Sequence, residues 1–156
     1  MGADYAGVYF LVLVFCALMP DINLKLPYPP SVNHYWAHKA VRSRKTRRWT
    51  VIKYLSTNAK TFRKAVQDAV YEQLGIPPKL KGRLAIIVHQ HYGPRDLENS
   101  HSAVAQDIDN CLKSLFDALE MASVYVNDSQ IDELLVVKKR RAAIGRVELC
   151  IKTIGE

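Results

Sequence analysis

The stretch D-I-D-N-C-L-K-S-L-F-D-A-L, residues 107–119, decides how the chain is interpreted. From Leu112 onwards its apolar residues recur at i, i+3, i+4 and i+7, which predicts a helix with one buried face. Asp109, Lys113 and Asp117 are successive i, i+4 neighbours, so the pattern places an ammonium between two carboxylates on an adjacent stripe of that helix. The stretch therefore predicts a helix that is docked by its apolar face and presents acidic and basic side chains beside it.

Composition places the chain among globular proteins of one-domain length. It has 156 residues, 49% of them hydrophobic, which is enough for a real core. The net charge of +7 and the pI near 9.4 favour a polyanionic partner, nucleic acid first and an anionic membrane second. Three cysteines without C-x-x-C spacing argue against a disulfide framework or a structural zinc site. They favour a reducing, cytoplasmic location.

The N-terminal region carries an unbroken apolar run at residues 6–19. The run is shorter than the ~20 residues of a membrane helix, and it lacks the positive region that precedes a signal peptide core. An additional buried element, a poor anchor and an upstream extension from a misplaced start codon all remain open. We treat residues 1–20 as a hydrophobic extension outside the catalytic core and residues 21–156 as the functional domain. Stable membrane association is not expected.

Local patterns predict the other elements. In chain order these are a strand over residues 22–26, a helix over 57–74, a strand over 83–91, a loop over 92–106, and strands over 131–137 and 146–151. Thr57 or Asn58 is the predicted cap of the first long helix, and Gly75 ends it. The run K-K-R-R at 138–141 predicts a hairpin with a basic tip between the last two strands.

A second basic segment covers residues 39–48, where six of ten residues are cationic. These are Lys39, Arg42, Arg44, Lys45, Arg47 and Arg48. Like charges repel and no apolar period is visible, so the segment is predicted to be a loop or mobile arm. Tyr35, Trp36 and Trp49 flank it, and cations with aromatic rings suit phosphate contact plus base stacking. Nucleic-acid contact is favoured for this segment, whereas for residues 138–141 a merely solvated run is equally favoured.

Three carboxylates are candidates for a shared site. Asp107 and Asp109 lie at the start of the central helix, and Asp128 follows the helix. Converging carboxylates without thiolates suit a hard cation such as Mg²⁺ or Mn²⁺, and such an ion in a basic protein indicates phosphodiester hydrolysis. Lys113 could stabilise the transition state. The alternatives are helix capping for the first two acids, a surface ion pair for Lys113 and a turn role for Asp128.

Three motifs together resemble the RusA family of Holliday-junction resolvases, found in phages and prophages. They are P-Y-P-P-S-V-N-H-Y-W at 27–36, D-I-D-N-x-x-K-x-x-F-D-A-L at 107–119 and N-D-S-Q-I at 127–131. The resemblance covers roughly residues 22–154. It implies an α+β fold, a single compact domain with a small mixed or antiparallel sheet packed against two main helices. It also implies a homodimeric, Mg²⁺-dependent endonuclease, with Mn²⁺ as a substitute and no small-molecule cofactor. Such an enzyme cuts four-way junction DNA by paired, symmetric nicks in DNA recombination and repair.

The resemblance also assigns residue roles. It implies metal binding by Asp107, Asp109 and Asp128 and a catalytic role for Lys113. Asn110, Asp117 and Gln130 match the pattern too and are expected in supporting roles.

The chain departs from the family pattern before the first acid. Family members often carry arginines there, whereas residues 103–106 read A-V-A-Q. Arg95 or the arm at 39–48 is expected to take over that DNA contact, together with Lys138 and Lys139. Two other functions remain open: a basic nucleic-acid-binding module without catalysis, and a membrane-associated basic protein tethered by residues 6–19.

Overall fold

The computed structural model describes residues 22–93, 107–139 and 142–154. Its elements in chain order are β1 (Ile22–Pro27), α1 (Val32–Tyr35), β2 (Trp36–Arg42), β3 (Trp49–Leu55), α2 (Thr57–Leu74), β4 (Arg83–His91), α3 (Leu112–Met121), a 3-10 turn (Asp128–Gln130), β5 (Ile131–Lys138) and β6 (Arg146–Ile154). The predicted extension at 1–20 and nearly all of the predicted loop at 92–106, Arg95 included, lie outside the described residues. In the part of the chain that is described, no helix is long and apolar enough to cross a membrane.

The main sheet has four strands in the order β1-β6-β4-β5. β6 pairs antiparallel with both β1 and β4, whereas β5 runs parallel to β4. The predicted hairpin of the last two strands is therefore wrong, because β4 lies between them. Helix α3 brings the chain back to the start of β4, so β5 joins the sheet in the parallel direction. The chain then crosses the end of β4, where Lys139 N donates to Gln90 O (2.8 Å) and Ala142 N donates to Tyr92 O (2.7 Å).

Helices α2 and α3 pack on one face of this sheet and complete the core. β4 alternates strictly, so that Leu84, Ile86 and Val88 are buried and the residues between them are half-buried. The core also contains Leu24, Leu26, Phe62, Val66, Val70, Leu115, Leu119, Val147, Leu149 and Ile151. The predicted α+β class, with a mixed sheet against two main helices, is confirmed.

Helix α2 has the predicted extent and a different cap. Ser56 precedes the helix with an extended backbone, and its hydroxyl accepts a hydrogen bond from Ala59 N (3.2 Å), so the cap is one residue before Thr57. Gly75 ends the helix with φ of 69°, a left-handed conformation that residues with a Cβ disfavour.

The basic segment is part of a hairpin: residues 39–42 belong to strand β2, where a loop or mobile arm was predicted, whereas residues 43–48 form the turn. β2 and β3 pair antiparallel from Trp36 opposite Leu55 to Arg42 opposite Trp49. Ser43 N donates to Arg48 O (2.9 Å) and Arg47 N donates to Ser43 O (2.9 Å), and these bonds close the turn. The alternation of β2 is not visible as a hydrophobic period because both faces of this two-stranded sheet are largely exposed.

Candidate active site at the start of helix α3

The two acids of the D-I-D motif lie in a tight turn before helix α3. The structure starts this helix at Leu112, so the predicted stripe that joined Asp109 to Lys113 along a helix is wrong. Asn110 N donates to Asp107 O (3.3 Å) and Leu112 N donates to Asp109 O (3.0 Å), which are turn bonds rather than bonds of a regular helix. The side chains of Asp107 and Asp109 are exposed.

Neighbouring segments hold this turn in place. Val32 N, at the start of α1, donates to the carbonyl of Asn110 (2.7 Å). The hydroxyl of Ser114 lies 2.6 Å from Pro30 O, so helix α3 is tied to the proline-rich segment as well. The P-Y-P-P-S-V-N and D-I-D-N motifs thus meet through backbone carbonyls.

Lys113 lies between two carboxylates, although not the pair that the sequence predicts. Its Nζ is 2.7 Å from Asp117 Oδ1, one helical turn on, and 2.7 Å from Asp128 Oδ2 beyond the helix. The hydrogen bonds to Asp117 and Asp128, in that order of size, raise the pKa of Lys113 well above the ordinary lysine value. The ammonium therefore keeps its charge to a higher pH than an isolated lysine does.

Asp128 is presented by a capped turn. The side chain of Asn127 accepts from Ser129 N (2.9 Å). Asn127 and Gln130 form a capping box, in which the Asn127 side chain accepts from the Gln130 backbone and Gln130 Oε1 accepts from Asn127 N (2.8 Å). The amide nitrogen of Gln130 donates to Gly82 O (2.7 Å), and Asp128 N donates to Glu120 Oε2 (3.2 Å). These bonds hold the turn against both the β4 side of the domain and helix α3.

Arg63 is a member of the charged cluster that sequence reasoning missed. It lies on α2, donates to the hydroxyl of Tyr35 (2.7 Å) and is 3.5 Å from Asp117 Oδ2. Burial raises the pKa of Tyr35, so its hydroxyl stays protonated beside Arg63. A pocket of about 570 Å³ is lined by Arg63, Asp117, Tyr125 and neighbouring residues. Nothing in the local sequence of α2 marks Arg63, because its partners come from distant segments.

By donor type the acidic residues fit a divalent cation, but the structure does not assemble them into one group. Asp107, Asp109 and Asp128 offer hard carboxylate oxygens, the ligands that Mg²⁺ prefers. Within residues 22–93, 107–139 and 142–154, the side chains of Asp107 and Asp109 are exposed and make no hydrogen bond or ion pair. Over those same residues, no three His, Cys, Asp or Glu side chains are grouped so that they could hold a metal ion.

The basic hairpin has two chemically different faces. Residues opposite each other in an antiparallel pair share a face, and the faces alternate along each strand. One face carries Trp36, His38, Arg42, Trp49 and Lys53, and we call it the cation–aromatic face. On it, Lys53 Nζ lies 4.3 Å from the ring centroid of Trp36, and Trp49 is 69% exposed.

The opposite hairpin face carries one cation and no tryptophan. It carries Val41, Ile52 and Tyr54, all exposed, and Lys39 lies on it opposite Ile52. The four other members of the predicted basic set, Arg44, Lys45, Arg47 and Arg48, lie in the exposed turn between the strands.

Lys138 and Lys139 lie at the end of β5, beside the strand that borders the acid-bearing turn. Lys138 pairs with Gln90 of β4, and its Nζ is 5.8 Å from the ring centroid of Tyr92. Gln90 in turn contacts the carbonyl of Ile108, between the two acids (2.9 Å). These two lysines are therefore placed near the acidic turn by the parallel pairing of β4 and β5.

Comparison with known proteins gives consistent matches over most of the chain. The family model described as endodeoxyribonuclease RusA matches residues 27–152. The crossover junction endodeoxyribonuclease rusA of Enterobacteria phage HK97 is 31% identical over 133 residues, which is 85% of this chain and 95% of that protein. The RusA protein of Escherichia coli strain K12 is 28% identical over 137 residues, 88% of this chain and 98% of that protein. A third relative, from Enterobacteria phage 82, is 28% identical over 138 residues.

Proposed function

The chain belongs to the RusA family of endodeoxyribonucleases, as its motifs predicted, and on that premise we propose that it resolves four-way DNA junctions with the help of a divalent cation. It is an enzyme of the crossover junction endodeoxyribonuclease type. The observation that carries the mechanism is the contact of Lys113 with Asp128 (2.7 Å). It brings Asp128, the last member of the predicted acidic set, to the proposed catalytic lysine, which lies on the helix that follows the D-I-D turn.

The proposed ligands of the cation are Asp107, Asp109 and Asp128, and the proposed cation is Mg²⁺, with Mn²⁺ as a substitute. Their donor chemistry supports this choice, since hard oxygen ligands select hard cations. When bound, such an ion polarises a phosphoryl oxygen and lowers the pKa of an attacking water.

Lys113 is the proposed catalytic cation. Its ammonium offers a positive charge to the negative charge that develops on the phosphate in the transition state. Asp117 holds Lys113 from the helix itself, with its own carboxylate 15% exposed. Lys113 would therefore keep its ion pair with Asp117 when Asp128 binds the cation.

The cation–aromatic face of the hairpin is the proposed contact for DNA. Its cations Arg42 and Lys53 suit backbone phosphates, and the exposed indole of Trp49 suits stacking on an unpaired base near a branch point. The turn residues Arg44, Lys45, Arg47 and Arg48 extend the same positive surface, and Lys138 and Lys139 are proposed phosphate contacts beside the acidic turn. Arg95 stays in the proposed set from its sequence position alone. Lys39, on the opposite face, is left out of this assignment.

Cleavage by paired, symmetric nicks is proposed to require a homodimer, because resolving a junction needs two opposed cuts and the chain supplies one set of proposed catalytic residues. Its proposed role is in DNA recombination and repair. The proposed nuclease domain is residues 21–156, which includes the whole matched region.

The test is cleavage of a labelled synthetic four-way junction, scored on a denaturing gel with Mg²⁺ and with EDTA, against linear duplex of the same sequence. The proposal expects symmetric nicks in the junction with Mg²⁺ and none with EDTA. Salt-sensitive junction binding with no product under Mg²⁺ or Mn²⁺ would instead support a non-catalytic binding module.

A further inference from the structure

Gln90 is a buried polar residue at the end of an otherwise apolar stripe. On β4 it follows Leu84, Ile86 and Val88 on the inward face, and its exposed fraction is 0%. A buried amide without partners is costly, so its hydrogen bonds indicate what it does there.

Those bonds are directed at the acid-bearing turn. The amide nitrogen of Gln90 donates to the carbonyl of Ile108 (2.9 Å) and lies 3.4 Å from the sulfur of Cys111. Ile108 separates Asp107 from Asp109 in the chain, so this bond orients the peptide between the two acids. The hydroxyl of Tyr92 donates to Gln90 Oε1 (2.8 Å), which determines which end of the amide faces the turn.

The support behind Gln90 is rigid. Its backbone lies in the central strand, paired with Lys138 of β5 on one side and Val147 of β6 on the other. In contrast, the turn itself is bound to the rest of the described chain mainly through carbonyl oxygens, Ile108 O to Gln90 and Asn110 O to Val32. Gln90, on an inner strand of the sheet, thus fixes the position of the turn that carries the exposed side chains of Asp107 and Asp109.

We propose that Gln90 is a positioning residue that holds the turn bearing Asp107 and Asp109 in its working geometry. The expected change in cleavage rate rests on the proposed function. The expected loosening of the turn does not, because it follows from the fold alone. Outer hydrogen-bond partners of metal ligands typically change affinity or activity by about 10–100-fold when they are removed.

Gln90→Met keeps the length of the side chain and removes its amide. We expect faster hydrogen exchange at the amides of Asn110 and Leu112, whose bonds close the turn, and a single-turnover junction cleavage rate lower by about 10–100-fold. Junction binding in EDTA should be unchanged, because the basic surfaces are untouched.

Gln73→Met is the matched control. Gln73 also donates its amide to a backbone carbonyl, Lys25 O (2.8 Å), but it joins α2 to β1. Gln73→Met should change neither the hydrogen exchange of the turn amides nor the cleavage rate. If Gln90→Met behaves like Gln73→Met in both measurements, the proposal is overturned.

Tyr92→Phe provides a second variant if Gln90→Met fails to fold. It leaves the Gln90 amide in place without its orienting bond, and we expect smaller changes in the same direction. Unchanged exchange and cleavage in Tyr92→Phe would then refute the proposal. A parent protein that cuts no junction refutes the proposed function, whereas the exchange measurement still decides the role of Gln90.

Discussion

The ammonium of Lys113 lies 2.7 Å from the carboxylate of Asp128, although 15 positions separate the two residues in the chain. Helix α3 and the capped turn after it create this contact, and Asp117 approaches the same ammonium from the helix. One cation thus connects the helix to the turn, and several consequences can be measured.

Asp128→Asn should remove junction cleavage while junction binding persists. The substitution keeps the shape of the side chain and removes the charge that would hold a cation, so we expect a rate loss of at least about 100-fold. The measurement is single-turnover cleavage of a labelled four-way junction with Mg²⁺, beside a binding assay in EDTA.

Asp132→Asn is the control for that variant, because Asp132 also forms an ion pair, with Arg83 on the exposed side of the sheet. It should cleave at the parent rate. Equal rates in the two variants would contradict a metal-binding role for Asp128.

Lys113→Met should lower the cleavage rate by about 10²–10³-fold, the loss typical of removing one charge-stabilising donor. The loss should appear at saturating junction, because the interaction is made to the transition state. Lys64→Met removes another lysine from an i, i+4 pair, with Asp68 on α2, and should have no effect on rate. A Lys113→Met protein that is as active as Lys64→Met would exclude a catalytic role.

Asp117→Asn should lower the pKa of Lys113 toward the ordinary lysine value of about 10.4, because the hydrogen bond with Asp117 is the largest contribution that raises it. A raised pKa means that the ammonium persists as pH rises through the ordinary value and loses its proton only above it. The variant should therefore lose the Lys113 charge at a lower pH than the parent. An NMR titration of the Lys113 side chain measures this directly.

Asp68→Asn serves as the reference in the titration, since Asp68 pairs with Lys64 on a different helix. Asp68→Asn should leave the pKa of Lys113 unchanged. A Lys113 pKa that is the same in Asp117→Asn and Asp68→Asn would show that Asp128 alone accounts for the shift.

Lys53→Gln should weaken junction binding more than Lys39→Gln does. The two lysines carry the same charge on the same hairpin, but only Lys53 lies on the cation–aromatic face, over the ring of Trp36. Loss of one phosphate contact should reduce the salt dependence of binding by about one unit of slope. Binding in EDTA over a range of salt concentrations measures it.

The reverse order, with Lys39→Gln the weaker binder, would assign DNA to the opposite face of the hairpin. A measurement of molecular mass by light scattering on both variants shows in addition whether either face affects self-association.

Much of the fold was predictable because its signals are local. The β-branched residues of the stretch 83–91 predicted β4 with the right bounds, and helix α2 was predicted from its period and its terminal Gly75. The basic hairpin was missed because a sheet exposed on both faces has no hydrophobic period to detect. The pairing of the last two strands was wrong because a basic turn-like run does not tell whether another strand lies between its neighbours.

The candidate site was predicted in part. The sequence pointed to Asp107, Asp109, Asp128 and Lys113, and the structure brings Lys113 to Asp128 and to Asp117. The sequence did not point to Arg63, because its partners Tyr35 and Asp117 come from other segments. Nothing in the local sequence marks Gln90, because it lies between two histidines after an unbroken apolar run, and only the structure shows that it is buried and that its amide reaches Ile108.

By itself the sequence determined the class of fold, the family and the residue types that could act on a phosphodiester. Those properties depend on composition, period and short motifs, which are local. Only the tertiary structure decided that β5 pairs parallel with β4, that helix α3 starts after the acidic turn, and that Lys113 meets Asp128. Such contacts join segments far apart in the chain, and their geometry comes from the packing of helices α2 and α3 against the sheet.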